Sequence, residues 1–224
     1  MLAALADIRV VVQARMSSNR FPGKVLAPLA GTPLIGHVLD RCAMAFGAAR
    51  VVLATSDRPS DHPLSLYAQS LGYAVFRGDL NDVLGRYQAC VREHPCEWFV
   101  RITADSPLID PELIRRVAER RRPEHDLVTN VHPRTFPAGQ SVEVVRSEGF
   151  LKLDAPSLTA EEREHVTLAF YRRPERFRIQ SVLSRDPAAG RAHLAVDTVE
   201  ELRELEALLG GGPAPRFADL IATP

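Results

Sequence analysis

The chain has 224 residues, 28 of them basic and 28 acidic, so its formal net charge at pH 7 is zero. This balance provides no overall basic field for holding nucleic acid, and any anion site must be local. The three cysteines lack Cys-x-x-Cys spacing, which argues against a disulfide framework or a zinc ribbon. Asp7 and Arg9 interrupt the apolar start too early for a secretory signal or a membrane span. We therefore expect a cytoplasmic protein without a membrane or nucleic-acid partner.

The first predicted strand leads directly into a cationic loop. Val10–Val12 is an apolar, β-branched run, and the loop that follows contains three fixed positive charges, on Arg15, Arg20 and Lys24. These charges repel one another unless a polyanion lies among them, and a triphosphate is a common small polyanion. The loop is not a Walker A element, because no Ser or Thr follows its Gly-Lys pair. The alternatives are side-chain cations that bind phosphates and ordinary solvated charges.

Strands and helices alternate along the N-terminal part of the chain. The later predicted strands in this part are 50–56, 73–76, 97–103 and 126–130. The predicted helices are 33–46, 64–71, 83–91 and 111–121. Such alternation predicts a mostly parallel sheet with right-handed crossovers. Asp110, followed by Pro111 and Glu112, is expected to cap the last of these helices.

The pattern changes in the C-terminal part. The predicted strands there are 141–145, 177–183 and 193–196. The predicted helices are 147–153, 160–171 and 198–209, with a last helical turn at 217–221. We predict one domain over residues 1–209 and a tail rich in Gly and Pro over 210–224.

Two aspartates stand where predicted strands end. Asp105 follows strand 97–103, and Asp197 follows strand 193–196. Ligands of open α/β sheets lie outside the carboxyl ends of the strands, so Asp105 and the cationic loop should face one site. Mg²⁺ is typically held by one or two carboxylates together with substrate phosphates. The alternatives are a turn that begins at Asp105 and a capping box formed by Asp197 with Glu200.

A series of motifs occurs in order along the chain: Gln13-Ala-Arg-Met-Ser-Ser-Asn-Arg-Phe-Pro-Gly-Lys, Leu53-Ala-Thr-Ser-Asp, Phe76-Arg-Gly-Asp, Asp82-Val-Leu-Gly-Arg-Tyr, Arg101-Ile-Thr-Ala-Asp-Ser-Pro-Leu-Ile-Asp, Glu162-Arg-Glu-His-Val-Thr and Val196-Asp-Thr-Val-Glu-Glu-Leu. Together they resemble the cytidylyltransferase family of the spore-coat polysaccharide protein SpsF, a relative of the CMP-Kdo and CMP-sialate synthetases. The ordered set is far more specific than any single motif.

The resemblance implies an α/β nucleotide-diphospho-sugar transferase fold, GT-A-like and Rossmann-like, with a mostly parallel central sheet and helices on both faces. It implies a nucleotide-binding half over about 8–122 and an acceptor-sugar half over about 123–209. The implied activity is magnesium-dependent transfer of CMP from CTP to a nonulosonate-like sugar or a sugar phosphate, with release of pyrophosphate, for surface or spore-coat polysaccharide. Relatedness to the sialate and Kdo synthetases also raises the expectation of a homodimer.

Residue roles follow from motif position by resemblance. The implied catalytic cations, which stabilise the departing pyrophosphate, are Arg15, Arg20 and Lys24. The implied nucleotide-binding residues are Gln13, Ala14, Arg15, Ser18, Lys24, Thr55, Arg77, Thr103 and Asp105. The implied magnesium ligands are Asp105 and Asp197. The implied acceptor-binding residues are Arg134, Glu143, Glu164 and His165, which could otherwise be a loop charge, an exposed strand residue and a solvated helix face.

Two departures from the family pattern affect these assignments. Ala104 and Ser106 flank Asp105 where the family has Gly and Cys, and Ser141 replaces an expected acid near the predicted sugar site. Two further functions stay open. One is a GT-A-type glycosyltransferase that uses a ready-made nucleotide sugar, although the sequence contains no Asp-x-Asp motif. The other is a non-catalytic nucleotide-binding relative.

Overall fold

A computed structural model of the chain describes residues 7–210, 214 and 216–220. Its strands are β1 (Ile8–Gln13), β2 (Pro28–Leu29), β3 (Thr32–Pro33), β4 (Val51–Ser56), β5 (Ala74–Gly78), β6 (Trp98–Thr103), β7 (Leu127–Thr129), β8 (Glu143–Arg146) and β9 (Ile179–Ser181). Its helices are α1 (Leu34–Phe46), α2 (His62–Ser70), α3 (Val83–Glu93), α4 (Pro111–Ala118), α5 (Ser147–Leu151), α6 (Ala160–Glu164), α7 (Leu168–Tyr171) and α8 (Val199–Gly210). None of the helices in the described part of the chain has the length and apolar character needed to cross a membrane.

The central sheet has seven strands in the order β5-β4-β1-β6-β8-β7-β9. Strands β5, β4, β1 and β6 are parallel, whereas β8 runs antiparallel to both β6 and β7. The predicted mostly parallel sheet is therefore confirmed. Because β1 lies near the middle of the sheet, the loop that follows it emerges between the carboxyl ends of β4 and β6.

Helices cover both faces of this sheet, as predicted. Val10 and Val12 of β1 point into one apolar core, which they share with α1, α2, α4 and α8. Val11 points into the opposite core, which it shares with α3, α5 and α7. The unbroken apolar run Val10–Val12 within β1 is expected, because both faces of a central parallel strand are buried. Asp110 caps α4 by accepting a hydrogen bond from the backbone N–H of Glu112, which confirms its predicted capping role.

Several predicted elements differ in the structure. Predicted helix 160–171 is two short helices, α6 and α7, interrupted after His165, where β-branched Val166 and Thr167 are both buried. Predicted strand 193–196 forms only one bridge, between His193 and Ala138. The β2–β3 hairpin was not predicted. The last helical turn is a 3-10 turn at Ala218–Leu220, and the predicted tail residues 211–213, 215 and 221–224 lie outside the described residues.

A close backbone contact positions the segment that leads to Asp197. Gly139 has φ +89°, and a Cβ atom placed on it would lie 2.5 Å from the carbonyl carbon and oxygen of Leu194. The backbone N–H of Leu194 donates a hydrogen bond to the carbonyl of Ala138 at 2.8 Å. Only glycine satisfies both the positive φ and the close approach at this position. The contact therefore holds residues 193–196 against the loop between β7 and β8.

We expect Gly139→Ala to lower the free energy of unfolding by about 2 kcal/mol, because it adds left-handed backbone strain and a clash with Leu194. Urea denaturation measures the change. Gly210→Ala is the matched control, because nothing lies within 4 Å of a Cβ atom placed on Gly210. Equal stability of the two variants would contradict the close contact.

Candidate active site

The buried carboxylate of Asp61 fixes the start of the loop after β1 by a hydrogen bond. Asp61 is fully buried, and its Oδ1 accepts a hydrogen bond from the backbone N–H of Met16 at 2.8 Å. Its Oδ2 accepts hydrogen bonds from the hydroxyls of Thr55 and Ser56 and from the backbone N–H of Ser56. A buried carboxylate needs such donors to offset the loss of hydration. Asp61 thus joins the end of β4 to the cationic loop.

The loop's two outer cations converge on Asp197. The Lys24 Nζ lies 2.7 Å from Asp197 Oδ1 and also donates to the carbonyl of Val196 at 2.7 Å. The Arg20 Nη2 lies 2.5 Å from Asp197 Oδ2. Burial raises the pKa of Asp197, but the hydrogen bond and charge of Lys24 and the charge of Arg20 outweigh it and lower that pKa below its ordinary value. The Asp197 carboxylate is therefore ionised and bound by two cations.

Asp105 lies beside Asp197 because the backbone joins them. The N–H of Val196 donates to the carbonyl of Asp105 at 2.8 Å, just beyond the end of β6. Oδ1 of Asp105 accepts hydrogen bonds from the hydroxyl of Thr103 at 2.5 Å and from that of Ser106 at 3.0 Å. Among the described residues, the hydrogen bonds to this carboxylate all reach Oδ1. Its Oδ2 therefore remains available to a cation.

These residues surround one cavity of about 300 Å³, here called the loop cavity. It is lined by Gln13, Ala14, Arg15, Ser18, Asn19, Arg20, Lys24, Val25, Thr103, Ala104, Asp105 and Asp197. The structure thus brings together both predicted metal ligands, all three predicted catalytic cations and most of the predicted nucleotide-binding residues. A cavity with cations on one wall and two carboxylates on the other can hold a polyphosphate together with a divalent metal ion.

Two of the predicted nucleotide-binding residues, Thr55 and Arg77, are not among the residues that line the loop cavity. Thr55 is fully buried and donates its hydroxyl to Asp61, so the nucleotide contact predicted for it is not available in this structure. The Arg77 guanidinium donates to the carbonyls of Ser56 at 3.0 Å and Arg58 at 2.8 Å. Both side chains support the carboxyl end of β4.

A cavity of about 390 Å³, here called the side cavity, adjoins the loop cavity and shares Thr103, Asp105 and Asp197 with it. Three of the four predicted acceptor-binding residues line it, namely Arg134, Glu143 and His165. Arg134 is exposed and donates to the hydroxyl of Ser141 at 3.1 Å. The loop cavity and the side cavity therefore meet at Asp105 and Asp197.

Glu143 lines the side cavity but is nearly buried. It is 4% exposed, so it is not the exposed strand residue that was the alternative to an acceptor-binding role. The Arg101 Nη1 lies 2.5 Å from its Oε2, and the Tyr171 hydroxyl donates to its Oε1 at 2.6 Å. Burial, together with the nearby charge of Glu143, raises the pKa of Tyr171. This network forms the floor of the side cavity.

Glu164, the fourth predicted acceptor residue, lies in a third cavity, of about 470 Å³. This cavity, here called the ribbon cavity, is formed by Arg15, Asp79, Leu80, Asn81, Asp82, Val83, Ala160, Arg163 and Glu164. Glu164 lies there because α6 ends before the break at His165, which turns the following residues toward the side cavity. The loop from Asp79 to Asp82 is held in place by Arg86, whose Nη1 donates to the carbonyl of Leu80 at 3.2 Å.

The sequence left two roles open for Asp197, that of a metal ligand and that of a capping-box residue. The structure excludes the second role. The capping box of α8 is formed by Thr198 and Glu201, not by Asp197 and Glu200. Because Thr198 caps the helix, the side chain of Asp197 is free to face the loop cavity. Asp61 was missed as a site residue. Its only local signal is the Ser60-Asp61 pair in the loop after β4, and that composition is typical of an ordinary turn.

Comparison with known proteins identifies the family. The family model described as "Cytidylyltransferase" matches residues 9–208. The chain belongs to the cytidylyltransferase family. It is 31% identical over 210 residues to the spore coat polysaccharide biosynthesis protein SpsF of Bacillus subtilis, covering 90% of this chain and 86% of SpsF.

Solved structures agree with this family. A cytidylyltransferase from Leptospira borgpetersenii superposes with a TM-score of 0.89 at 27% identity, covering 96% of this chain and 92% of that one. CMP:2-keto-3-deoxy-manno-octonic acid synthetase, solved with CTP, superposes with a TM-score of 0.66 at 18% identity, covering 92% of this chain and 99% of that one, and shows the shared fold. The chain thus has the expected α/β fold, and its membership of the cytidylyltransferase family, rather than the fold, favours a nucleotidyltransferase over the glycosyltransferase and non-catalytic alternatives.

We expect Asp61→Asn to lower the free energy of unfolding by about 2 kcal/mol, because an amide cannot accept all the hydrogen bonds that this buried carboxylate accepts. Thermal or urea denaturation measures the change. Asp57→Asn removes an exposed carboxylate next to the same strand and should leave stability nearly unchanged. If both variants were equally stable, the Asp61 network would not support the loop.

Proposed function

We propose that this cytidylyltransferase transfers CMP from CTP to a sugar and releases pyrophosphate, and that the reaction depends on Mg²⁺. The observation that carries the proposal is the convergence of Arg20, Lys24, Asp105 and Asp197 on a loop cavity that opens into a second, sugar-sized cavity. CTP is a reasonable donor because the CMP:2-keto-3-deoxy-manno-octonic acid synthetase was solved with it.

The chain's own residues suit the charge changes of the reaction. An in-line attack on the α-phosphate needs charge neutralisation more than a nucleophilic side chain. Arg20 is the most exposed of the three cations, with a side chain that is 65% exposed, so there is room for it to turn from Asp197 to a phosphate. Lys24 is only 12% exposed and is held by Val196, so it is a preorganised charge for the departing pyrophosphate.

The carboxylates fit a magnesium ion. Asp105 offers its Oδ2, and Asp197 has further lone pairs on oxygens that now bind Lys24 and Arg20. The described residues contain no cluster of three or more His, Cys, Asp or Glu that could hold a metal. Two carboxylates nevertheless suffice for Mg²⁺, which takes its other ligands from phosphate and water. When bound, Mg²⁺ offsets the negative charge that the phosphates carry in the transition state.

The ribbon cavity and the side cavity would hold the parts of the substrates that lie outside the loop cavity. The ribbon cavity shares Arg15 with the loop cavity, so it is positioned to hold the ribose and base of a nucleotide whose phosphates lie in the loop cavity. The side cavity contains Arg134 and His165 and accordingly favours an anionic acceptor, either a nonulosonate-like sugar or a sugar phosphate. Similarity to SpsF supports a role in surface or spore-coat polysaccharide synthesis. A cytoplasmic homodimer remains our expectation, which light scattering and cell fractionation test.

We expect Asp105→Asn and Lys24→Met each to lower pyrophosphate release by about 10²-fold or more, because each removes preorganised charge at the phosphates. The assay offers CTP, MgCl₂ and a panel of acidic sugars, and chelation by EDTA should abolish turnover until Mg²⁺ is restored. Lys152→Met is the matched control, since Lys152 is exposed and, among the described residues, forms an ion pair only with Glu148 on α5.

A thermal-shift screen with CTP, UTP, ATP and GTP in the presence of Mg²⁺ tests the nucleotide separately, because a ligand that binds only the folded state raises its melting temperature. CTP should give the largest shift in the wild-type protein. Failure of every nucleotide to stabilise it, or full activity of the Asp105→Asn variant, would count against the proposed function.

A further inference from the structure

A histidine outside the family motifs lines the side cavity and is paired with a carboxylate. The His193 Nε2 lies 3.0 Å from Glu201 Oε1. The His193 side chain is 50% exposed, and the cavity that it lines also contains Asp105 and Asp197. The imidazole is therefore accessible to a molecule bound between the acceptor and phosphate positions.

Glu201 is held rigidly in the first turn of α8. Its Oε2 accepts hydrogen bonds from the backbone N–H groups of Asp197 at 2.6 Å and Thr198 at 2.8 Å. One carboxylate thus connects the imidazole of His193 to the backbone of Asp197.

This pairing sets the tautomer of the imidazole. An ionised carboxylate only accepts hydrogen bonds, so Nε2 of His193 must carry the proton that it donates to Glu201. In the neutral ring, Nδ1 is then a hydrogen-bond acceptor with a free lone pair. A carboxylate that orients a histidine in this way also stabilises the imidazolium that forms when Nδ1 takes up a proton.

We propose that His193 is the general base of the transfer reaction and that Glu201 is its positioning residue. The inference rests on the proposed function. The hydroxyl oxygen of the acceptor sugar forms a bond to the α-phosphorus of CTP, and its proton passes to Nδ1 of His193. The bond from the α-phosphorus to the oxygen that bridges the α- and β-phosphates breaks. That oxygen keeps the electron pair and leaves as part of pyrophosphate.

The other ionisable groups that face the side cavity are already engaged or lack such a partner. Glu143 is bound by Arg101 and Tyr171, and Asp197 is bound by Lys24 and Arg20. Oδ1 of Asp105 accepts two hydroxyls, and Arg134 is a fixed cation. The described residues place no carboxylate against the side chain of His165. Among the described residues that line the side cavity, only His193 combines a free acceptor nitrogen with a carboxylate that orients it.

The test measures pyrophosphate release from CTP and Mg²⁺ by the full-length protein, with 3-deoxy-manno-octulosonate, N-acetylneuraminate, hexose phosphates and water as acceptors. We expect His193→Gln to lower kcat by about 10²-fold and to leave the thermal shift by CTP unchanged. The acidic limb of the pH profile of kcat/KM, which reports protonation of the base, should be lost. Free imidazole should restore part of the activity of His193→Ala, which a merely structural role for His193 would not allow.

Glu201→Gln separates orientation from helix capping. The amide oxygen can still accept the hydrogen bonds from Asp197 and Thr198, but the amide nitrogen then faces His193 and donates to Nε2. The imidazole must place its proton on Nδ1 instead, so kcat should fall nearly as far as in His193→Gln while the melting temperature is kept. Glu200→Gln removes an exposed carboxylate from the same turn and is the matched control.

The outcomes distinguish the two proposals. If the wild-type protein releases no pyrophosphate with any acceptor, the proposed function is wrong, and so is the general-base role of His193. If the wild-type protein turns over but His193→Gln keeps its kcat and its acidic limb, only the base is overturned. Loss of the acidic limb in His165→Gln rather than in His193→Gln would likewise overturn it, as would failure of imidazole to rescue His193→Ala.

Discussion

The contact between Lys24 and Asp197 joins residues 173 positions apart, and the arrangement of the site depends on it. The loop after β1 carries three cations that repel one another, and a carboxylate at each side restrains it. Asp61 accepts the backbone N–H of Met16 from below, while Asp197 binds Lys24 and Arg20 from across the cavity. A loop restrained in this way keeps its charges in place before any phosphate arrives, which is the condition for electrostatic stabilisation without reorganisation.

The position of Asp197 in turn depends on backbone contacts rather than on a strand. Residues 193–196 pair with Ala138 and with the carbonyl of Asp105, and the close approach at Gly139 permits the first of these contacts. Thr198 and Glu201 then begin α8 immediately afterwards. The chain thus brings Asp197 beside Asp105 without extending the sheet, and it leaves a gap in which the loop cavity and the side cavity meet.

The sequence predicted many of the strands and helices, but not which side chains contact one another. Alternating apolar runs and helical patterns were enough for β1, β4, β6 and the helices between them, because both faces of these strands are buried and their periodicity is strong. The sequence predicted α6 and α7 as one helix. The break between them accompanies the tertiary burial of Val166 and Thr167, which has no local composition signal. Domain boundaries and most residue roles remain predictions.

What the sequence determined by itself is the chemistry at the ends of strands. The placement of the β1-loop cations and of the aspartates after β6 and before α8 follows from local order, because the carboxyl ends of parallel strands meet at one edge of an α/β sheet. Only the tertiary structure decided which charges meet. Glu143 is bound by Arg101, Glu164 faces the ribbon cavity, Thr55 supports Asp61, and His193 is oriented by Glu201. These contacts depend on how the folded backbone places each side chain, and no local composition pattern encodes them.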